Sequence, residues 1–294
     1  MSKINIFGSA CVDILVSHID KDSFFSGTFK ADHIETRFGG DALNETYVLH
    51  HFRQDVKLIS LLGDDLYGNL IYNDLKNKRI RTNEDILRND METSVSIVLI
   101  QEDGERILVG NKEGSVRQLK LSDIMIDEDC KILVFASMFS SPYLYDYNLN
   151  PFYKEIKERN ILTFMDTSSP KNNEKVRDLT FLKYIDYFFC NEEEAIQLCD
   201  ETDLHQIEEI FYHAGARNVI IKCGKNGCYY RNQYYPADRN IFCVDSTGAG
   251  DSFVAGFIIG INSGLSTAQS LKIANQFGGN ACSHIGAVSW LNTI

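Results

Sequence analysis

Six short runs of nearly uninterrupted apolar residues punctuate the chain, at 4–7, 56–61, 131–135, 161–165, 184–190 and 219–222. Between or after them lie segments with helical spacing, at 42–52, 66–76, 152–159, 192–199, 204–212, 250–261 and 267–283. A strand that is apolar throughout, rather than at every second residue, must be covered on both faces. Such strands belong to a largely parallel sheet with helices on either side. The pattern predicts a doubly wound α/β core. With four prolines and no low-complexity tract, no linker announces a second domain, so residues 1–294 read as one unit.

One stretch departs from this pattern. In TSVSIVLIQEDGERILV, from 93 to 109, Val95, Ile97 and Leu99 alternate with Ser94 and Ser96. Asp103-Gly104 then supplies a hairpin signal before Ile107 and Val109. This predicts an antiparallel hairpin with one buried face. Residues 13–17 and 33–38 are candidates for the same small sheet, giving a flap built from segments near 12–38 and 92–110.

Charge excludes several functions. With 29 Lys and Arg against 41 Asp and Glu, the net charge is −12, which repels phosphate backbones and anionic lipid. Nucleic acid and membrane surfaces are therefore not expected partners. The longest strongly apolar run, 253–261, is far shorter than the roughly 20 residues of a membrane span. The start, MSKINIFGSA, lacks the basic and apolar regions of a secretion signal. Eight scattered cysteines without a CxxC pair read as buried thiols in a reducing cytoplasm, not as a disulfide frame or zinc site.

The segment richest in chemistry is VDSTGAGDSFVAG, from 244 to 256. A strand candidate ending near Val244 leads into a glycine-rich turn and then a helix. Small residues at Gly248, Ala249 and Gly250 let backbone N–H groups converge, and the helix start adds its positive dipole end, making a pocket for phosphate. Asp251 sits beside that pocket. A carboxylate there repels a resting phosphate, so its natural task is to take a proton from an attacking hydroxyl while the amides hold the transferring charge. The competing reading is an acid that only favours the helix start. No Walker motif GxxxxGK[ST] occurs, and Phe253 stands where a dinucleotide fingerprint needs glycine, so hydride transfer is disfavoured.

Other segments carry weaker signals. In FGGDALNE, Gly39 and Gly40 permit close approach to a ligand, while Asp41 and Asn44, one helical turn apart, suit vicinal hydroxyls. Asp13 follows the first strand, where strand ends deliver ligand contacts. Asn191 and the acids 192–194 open a helix and suit a hydrated Mg²⁺ or simple helix capping. KCGKNG, from Lys222 to Gly227, reads as a hairpin turn through Asn226-Gly227.

Taken in order, these segments resemble the ribokinase-like sugar kinases, the PfkB carbohydrate kinase family. DSTGAGD, from Asp245 to Asp251, is similar to the family's C-terminal signature, and Gly39-Gly40 with Asn44 to its N-terminal one. GDDLYG at 63–68 is similar to its G-x-D-x-x-G segment, Asn191 with Glu194 to N-x-x-E, and Gly224 with Gly227 to its nucleotide-side turn. The resemblance spans residues 8 to about 287. It implies a three-layer α/β sandwich with a mostly parallel sheet, a β lid over a sugar, and ATP-dependent phosphorylation of an alcohol. It implies Asp251 as general base and the backbone of 248–251 as anion hole, with Asn191 and Glu194 in the Mg²⁺–phosphate network. Asp13, Gly39, Gly40, Asp41 and Asn44 would meet the acceptor, and Lys222, Gly224, Gly227 and Asn275 the nucleotide. It also implies K⁺ beside Asp245 and Thr247.

The substrate stays open. Cys11 stands where ribokinases carry asparagine, and Gly40-Asp41-Ala42 replaces their Gly-Lys-Gly; GGDxLN is more like 2-keto-3-deoxygluconate kinases. An acidic sugar would call for a cation, for which Arg37 and Arg106 are candidates. A nucleoside acceptor would need an aromatic slot, from Phe38, Phe139, Tyr143 or Tyr145. A non-catalytic sugar-binding regulator is the third reading, although the base and glycines are intact. An exposed lid edge suggests a homodimer.

Overall fold

The computed structural model describes residues 2–19, 30–101, 106–144, 150–168 and 179–293. Its strands are β1 (Lys3–Phe7), β2 (Cys11–Ile19), β3 (His33–Gly39), β4 (Asp55–Ile59), β5 (Leu62–Gly63), β6 (Arg81–Thr82), β7 (Leu87–Arg88), β8 (Val95–Gln101), β9 (Arg106–Gly110), β10 (Cys130–Met138), β11 (Leu162–Thr167), β12 (Tyr187–Asn191), β13 (Val219–Lys222), β14 (Cys228–Tyr230) and β15 (Gln233–Tyr235). Its α-helices are α1 (Asp41–His51), α2 (Leu66–Asn77), α3 (Asn150–Glu158), α4 (Glu192–Cys199), α5 (Leu204–His213), α6 (Ala249–Asn262) and α7 (Thr267–Cys282).

The main sheet runs β15-β14-β13-β12-β11-β10-β1-β4-β6 and is parallel except for the β13–β14–β15 edge. Its central strands are apolar on both faces for the reason the sequence implies. Ile4 and Ile6 of β1, with Ile132 and Val134 of β10, pack under α1, α2, α6 and α7. Phe7, Leu133 and Phe135 from the same strands point the other way, under α3, α4 and α5. That is a three-layer α/β sandwich.

The second sheet has the order β3-β2-β8-β9. The hairpin expected at 93–109 is present as the antiparallel pair β8–β9; its Asp103-Gly104 turn lies outside the described residues. β2 and β3 pair antiparallel, and β2 joins β8 in parallel, so two antiparallel ladders share a parallel seam.

Two expectations are corrected. The run 56–61 is not one strand: at Ser60 the chain leaves the sheet, the hydroxyl donating to the Gly8 carbonyl at 2.7 Å and the amide to Asn83 Oδ1 at 3.1 Å. No strand ends near Val244. Phe242 and Val244 are 82% and 51% exposed, so burial offers nothing to hold a strand, and the amides of Val244 and Asp245 donate to the Cys282 carbonyl instead.

The GDDLYG segment is a clamp between the layers. Asp65 caps α2 by accepting from the Gly68 amide at 2.8 Å, and also accepts from the amide and hydroxyl of Thr93, each at 2.8 Å. Burial works against its charge, but these bonds outweigh it and hold the carboxyl below the usual range. Thr93 is the residue from which the chain enters β8 two positions later. Replacing Asp65 by Ala removes a cap and strands the Thr93 donors, and is expected to cost about 2 kcal/mol or more in denaturant unfolding. A loss within experimental error would show that Asp65 does not carry this junction.

Candidate active site

Two clefts open on opposite sides of the first turn of α6. The larger, of about 710 Å³, is lined by Asp13, Asp41, Asn44, Ser96, Lys112, Arg117, Ser137, Gly248 and Asp251. The smaller, of about 290 Å³, is lined by Lys222, Gly224, Gly227, Asn275, Ala249 and Gly250. Of the residues expected to meet an acceptor, Asp13, Gly40, Asp41 and Asn44 border the larger cleft, and of those expected to meet a nucleotide, Lys222, Gly224, Gly227 and Asn275 border the smaller, with 248–251 between them.

The turn is built to leave donors open. Gly248 occupies the N-cap at φ 71°, and no side chain caps the helix. A Cβ at 248 would lie 2.5 Å from Ala287, so the position requires glycine on both counts. The amides of 248–251 precede any carbonyl that the helix itself could offer. The Ala249 amide donates to the Ser246 carbonyl at 3.2 Å, which takes that donor into the turn. Lys222 approaches from β13: its Nζ would lie 3.4 Å from a Cβ at Gly250.

Asp251 is half-buried, and Asn44 Nδ2 donates to its Oδ2 at 2.7 Å. Burial and the nearby Asp41 push its pKa up to about 7, against the opposing pull of Asn44 and Lys222. Asn44 therefore orients the Asp251 carboxylate rather than only offering itself to a ligand. Its Oδ1 is buried without a hydrogen-bond partner, an acceptor left open beside Asp251. Asp13 is pushed up to about 6, chiefly by burial.

Gly39 and Gly40 make close approaches within the protein. A Cβ at Gly39 would sit 2.1 Å from Asp13 Oδ2, and one at Gly40 2.6 Å from the Ser9 carbonyl. Gly39 thus makes room for the Asp13 carboxylate. Asp41 does not cap α1; Gly40 is the N-cap, and the Asp41 amide donates to Ser9 Oγ at 2.9 Å. Ser9 and Ser137 join their hydroxyls at 2.5 Å on the cleft floor, from the ends of the adjacent strands β1 and β10.

On the other side, Asn191 and Glu194 form a reciprocal capping box on α4: the Glu194 amide donates to Asn191 Oδ1 at 2.8 Å, and the Asn191 amide to Glu194 Oε2 at 2.9 Å. Thr167 Oγ1 adds a bond to the same carboxylate oxygen at 2.8 Å. The side-chain Nδ2 of Asn191 and the Oε1 of Glu194 lie outside these capping bonds. Among the described residues no cluster of three or more metal-ligating side chains occurs. Glu194 brings one carboxylate to this point, and Mg²⁺ is a cation that keeps its waters and leans on substrate phosphates with one or two carboxylates. Asp245 and Thr247 supply oxygen donors on the turn before Gly248; Asp245 Oδ1 accepts from the Thr247 hydroxyl at 2.7 Å, and Oδ2 from the Gly286 amide at 2.8 Å. Asn275 Nδ2 donates to the Tyr235 and Pro236 carbonyls and so braces the wall of the small cleft.

Three features escaped the sequence reading. Asp166, at the end of β11, pairs with Lys222 at 2.6 and 2.7 Å. Burial disfavours the Lys222 charge, but the Asp166 and Glu194 carboxylates outweigh it and raise its pKa. A single acid closing an apolar run was the available signal. The cations bordering the large cleft are Lys112 and Arg117. Arg37 instead turns to the Ile285 carbonyl (2.6 Å) and Glu35 (2.8 Å), in a separate cavity; Arg106 lies on β9 with its side chain outside the described residues. Of the expected aromatic slot, Tyr143 borders the large cleft, Phe139 is buried in the core, Phe38 lines the separate cavity, and Tyr145 lies outside the described residues.

The third is Glu45, the next residue after Asn44. It is fully buried and neither carboxylate oxygen has a hydrogen-bond partner. Burial first, then the Asp166, Asp251 and Asp41 charges, push its pKa well above the ordinary value. Such a group stabilises the fold only while protonated: relative to a neutral side chain, stability is lost as pH rises from the unfolded value, near 4.5, toward the folded one. The stability advantage of Glu45→Gln should therefore widen by up to about 1.4 kcal/mol for each pH unit in that window. Denaturant unfolding from about pH 5 to about pH 8 reads this; a constant gap would mean that Glu45 is ionised in the fold.

The geometry defines a two-cleft α/β phosphotransferase class, and comparison gives the family. The pfkB family carbohydrate kinase profile matches residues 1–294, so the chain belongs to that family of alcohol-phosphorylating enzymes. It is 26% identical over 285 residues to the ribokinase of Arabidopsis thaliana, covering 92% of this chain and 73% of that one. Over 95 residues, 30% of each chain, it is 33% identical to 2-dehydro-3-deoxygluconokinase of Haemophilus influenzae. In fold it is similar to the structure of Arabidopsis thaliana ribokinase complexed with ribose and ATP, with a TM-score of 0.80 and 21% identity, covering 98% of this chain and 95% of that one. No described helix is long and apolar enough to cross a membrane.

Proposed function

We propose that the protein transfers the γ-phosphate of ATP to a hydroxyl of a sugar or sugar derivative. The observation that carries this reading is the meeting of the two clefts at the uncapped first turn of α6, with Asp251 on the acceptor side. The acceptor hydroxyl lies against Asp251, whose carboxylate Asn44 Nδ2 holds in place. As its oxygen bonds to the γ-phosphorus, its proton passes to Asp251 and ADP departs with the electrons of the broken P–O bond. Open amides of the first turn and the Lys222 ammonium stabilise charge on the transferring group. Mg²⁺ would be held near Asn191 and Glu194 and offset phosphate charge, while K⁺ at Asp245 and Thr247 would add positive charge beneath the anion hole. The eight free cysteines support a reducing, cytoplasmic setting.

An anionic group on the acceptor would meet Lys112 and Arg117, set against the acids Asp13, Asp41, Glu113 and Asp251 of the same cleft, and the dispersal of the aromatic slot disfavours a nucleoside. A panel of neutral sugars, sugar acids and nucleosides, assayed for ADP release in K⁺ and in Na⁺, tests these choices. Asp251→Asn should keep ATP binding while lowering kcat by about 10²- to 10⁴-fold. In the wild type, kcat/KM should rise with pH through about 7, because the base must be ionised. Near-normal turnover in Asp251→Asn would remove the base assignment.

The small sheet serves as the lid. Its face bearing Asp13 and Ser96 borders the acceptor cleft, while the opposite face exposes Ile34, Ile97, Ile107 and Val109. An apolar face of this kind supports pairing with a second lid. Sedimentation should give a dimer, and Ile34→Glu with Val109→Glu a folded monomer; a wild-type monomer at micromolar concentration would end the dimer reading.

A further inference from the structure

Cys243 and Cys282 meet on the wall of the smaller cleft, and nothing in the phosphotransfer chemistry uses their sulfurs. Both line that cleft; Cys243 is exposed and Cys282 half-buried. The Cys243 thiol lies close enough to act on the Cys282 thiol. The backbone holds them together, since the Val244 and Asp245 amides donate to the Cys282 carbonyl at 2.7 and 3.2 Å. Cys243 belongs to the irregular segment between β15 and α6, and Cys282 ends α7, so a bond between them would join two separate walls of the cleft. A disulfide needs Cα atoms within about 7 Å, and backbones already linked through one amide and one carbonyl lie within that reach.

We propose that Cys243 and Cys282 form a reversible disulfide, made by hydroperoxide-class oxidants and broken by dithiols, that closes the nucleotide side of the kinase. The gating half of this proposal rests on the function proposed above; the sulfur chemistry does not. In the first step the Cys243 sulfur attacks one peroxide oxygen, the O–O bond breaks, and the departing oxygen takes a proton to leave as water or alcohol. The product is a sulfenic acid at Cys243. The Cys282 sulfur then attacks the Cys243 sulfur, the S–O bond breaks, and hydroxide leaves with the Cys282 proton as water. Two thiols are oxidised by two electrons and one peroxide is reduced. Cys243 reacts first because it is the exposed partner. The half-buried Cys282 takes the resolving step. In a reducing compartment such a bond is transient and reports oxidant.

The cleft explains why the bond would matter. At about 290 Å³ it lies at the lower limit of small-molecule sites, which run from about 300 Å³ upward. The Ile241 side chain closes it against α7, since its Cδ1 would lie 2.1 Å from a Cβ at Gly279. The segment carrying Ile241 and Cys243 forms the wall that faces α7, so the cleft widens only if that wall moves, and a disulfide to Cys282 would hold it in place.

The test treats the full-length protein with hydrogen peroxide, maps peptides by mass spectrometry, and measures ATP binding by calorimetry before and after a dithiol reductant. Expected are a 243–282 crosslink lighter by two hydrogens, an ATP Kd at least about tenfold weaker, and recovery on reduction. Cys243→Ser and Cys282→Ser should each lack the crosslink and keep, after peroxide, whatever ATP affinity each had before it. Thiols that remain free at 243 and 282 overturn the proposal, as does a crosslink that leaves ATP affinity unchanged. Reduced protein that fails to bind ATP overturns the kinase reading and the gating with it, while the peptide map still decides the disulfide.

Discussion

The donors at the start of α6 are the constraint around which the site is arranged. Four other helix starts are closed by side chains: Asp65 on α2, Asn191 on α4, Asp203 on α5 and Ser266 on α7. The two helices whose starts face the acceptor cleft, α1 and α6, have glycine at the N-cap and no side-chain cap. At α1 the Asp41 and Leu43 amides turn to Ser9, so the open donors gather at α6, where a glycine N-cap forfeits roughly 0.3 kcal/mol of capping that the dense packing of the layers offsets. The result is a set of unspent donors in a chain whose net charge is −12, so the phosphate binding proposed for this turn would rest on local dipoles and on Lys222 rather than on overall charge.

That arrangement creates an electrostatic problem that the buried acids answer in different ways. Asp166 keeps its ammonium partner, Asp251 is held by Asn44, and Glu45 has no partner at all. Groups close enough to feel one another's charge do not titrate independently. The proton affinity of Asp251 therefore reflects Asp41 and Lys222 as well as its own burial.

Much of this was legible in the amino-acid order. Continuous apolar runs such as that of β10 announced a sheet covered on both faces, and serine–aliphatic alternation in β8 announced the smaller one. Gly248 to Asp251 could be read because backbone donors need small residues in a fixed local order. Partnerships set by the tertiary fold could not. Asp166 and Lys222 are 56 positions apart and become a pair only when β11, β12 and β13 lie side by side. Arg37 looked available to a ligand until the fold brought Ile285 to it, and the Val244 strand failed because no sheet edge receives it.

The small sheet is anchored at both of its inner ends. β3 runs directly into α1, and β8 begins two residues past the Asp65–Thr93 clamp. With the backbone fixed at those points, the side chains at Asp13, Ser94 and Ser96 are the positions free to vary over the acceptor. Divergence toward a new substrate in this lineage should then proceed by exchange of those few groups, leaving the framework and its phosphate machinery inherited intact.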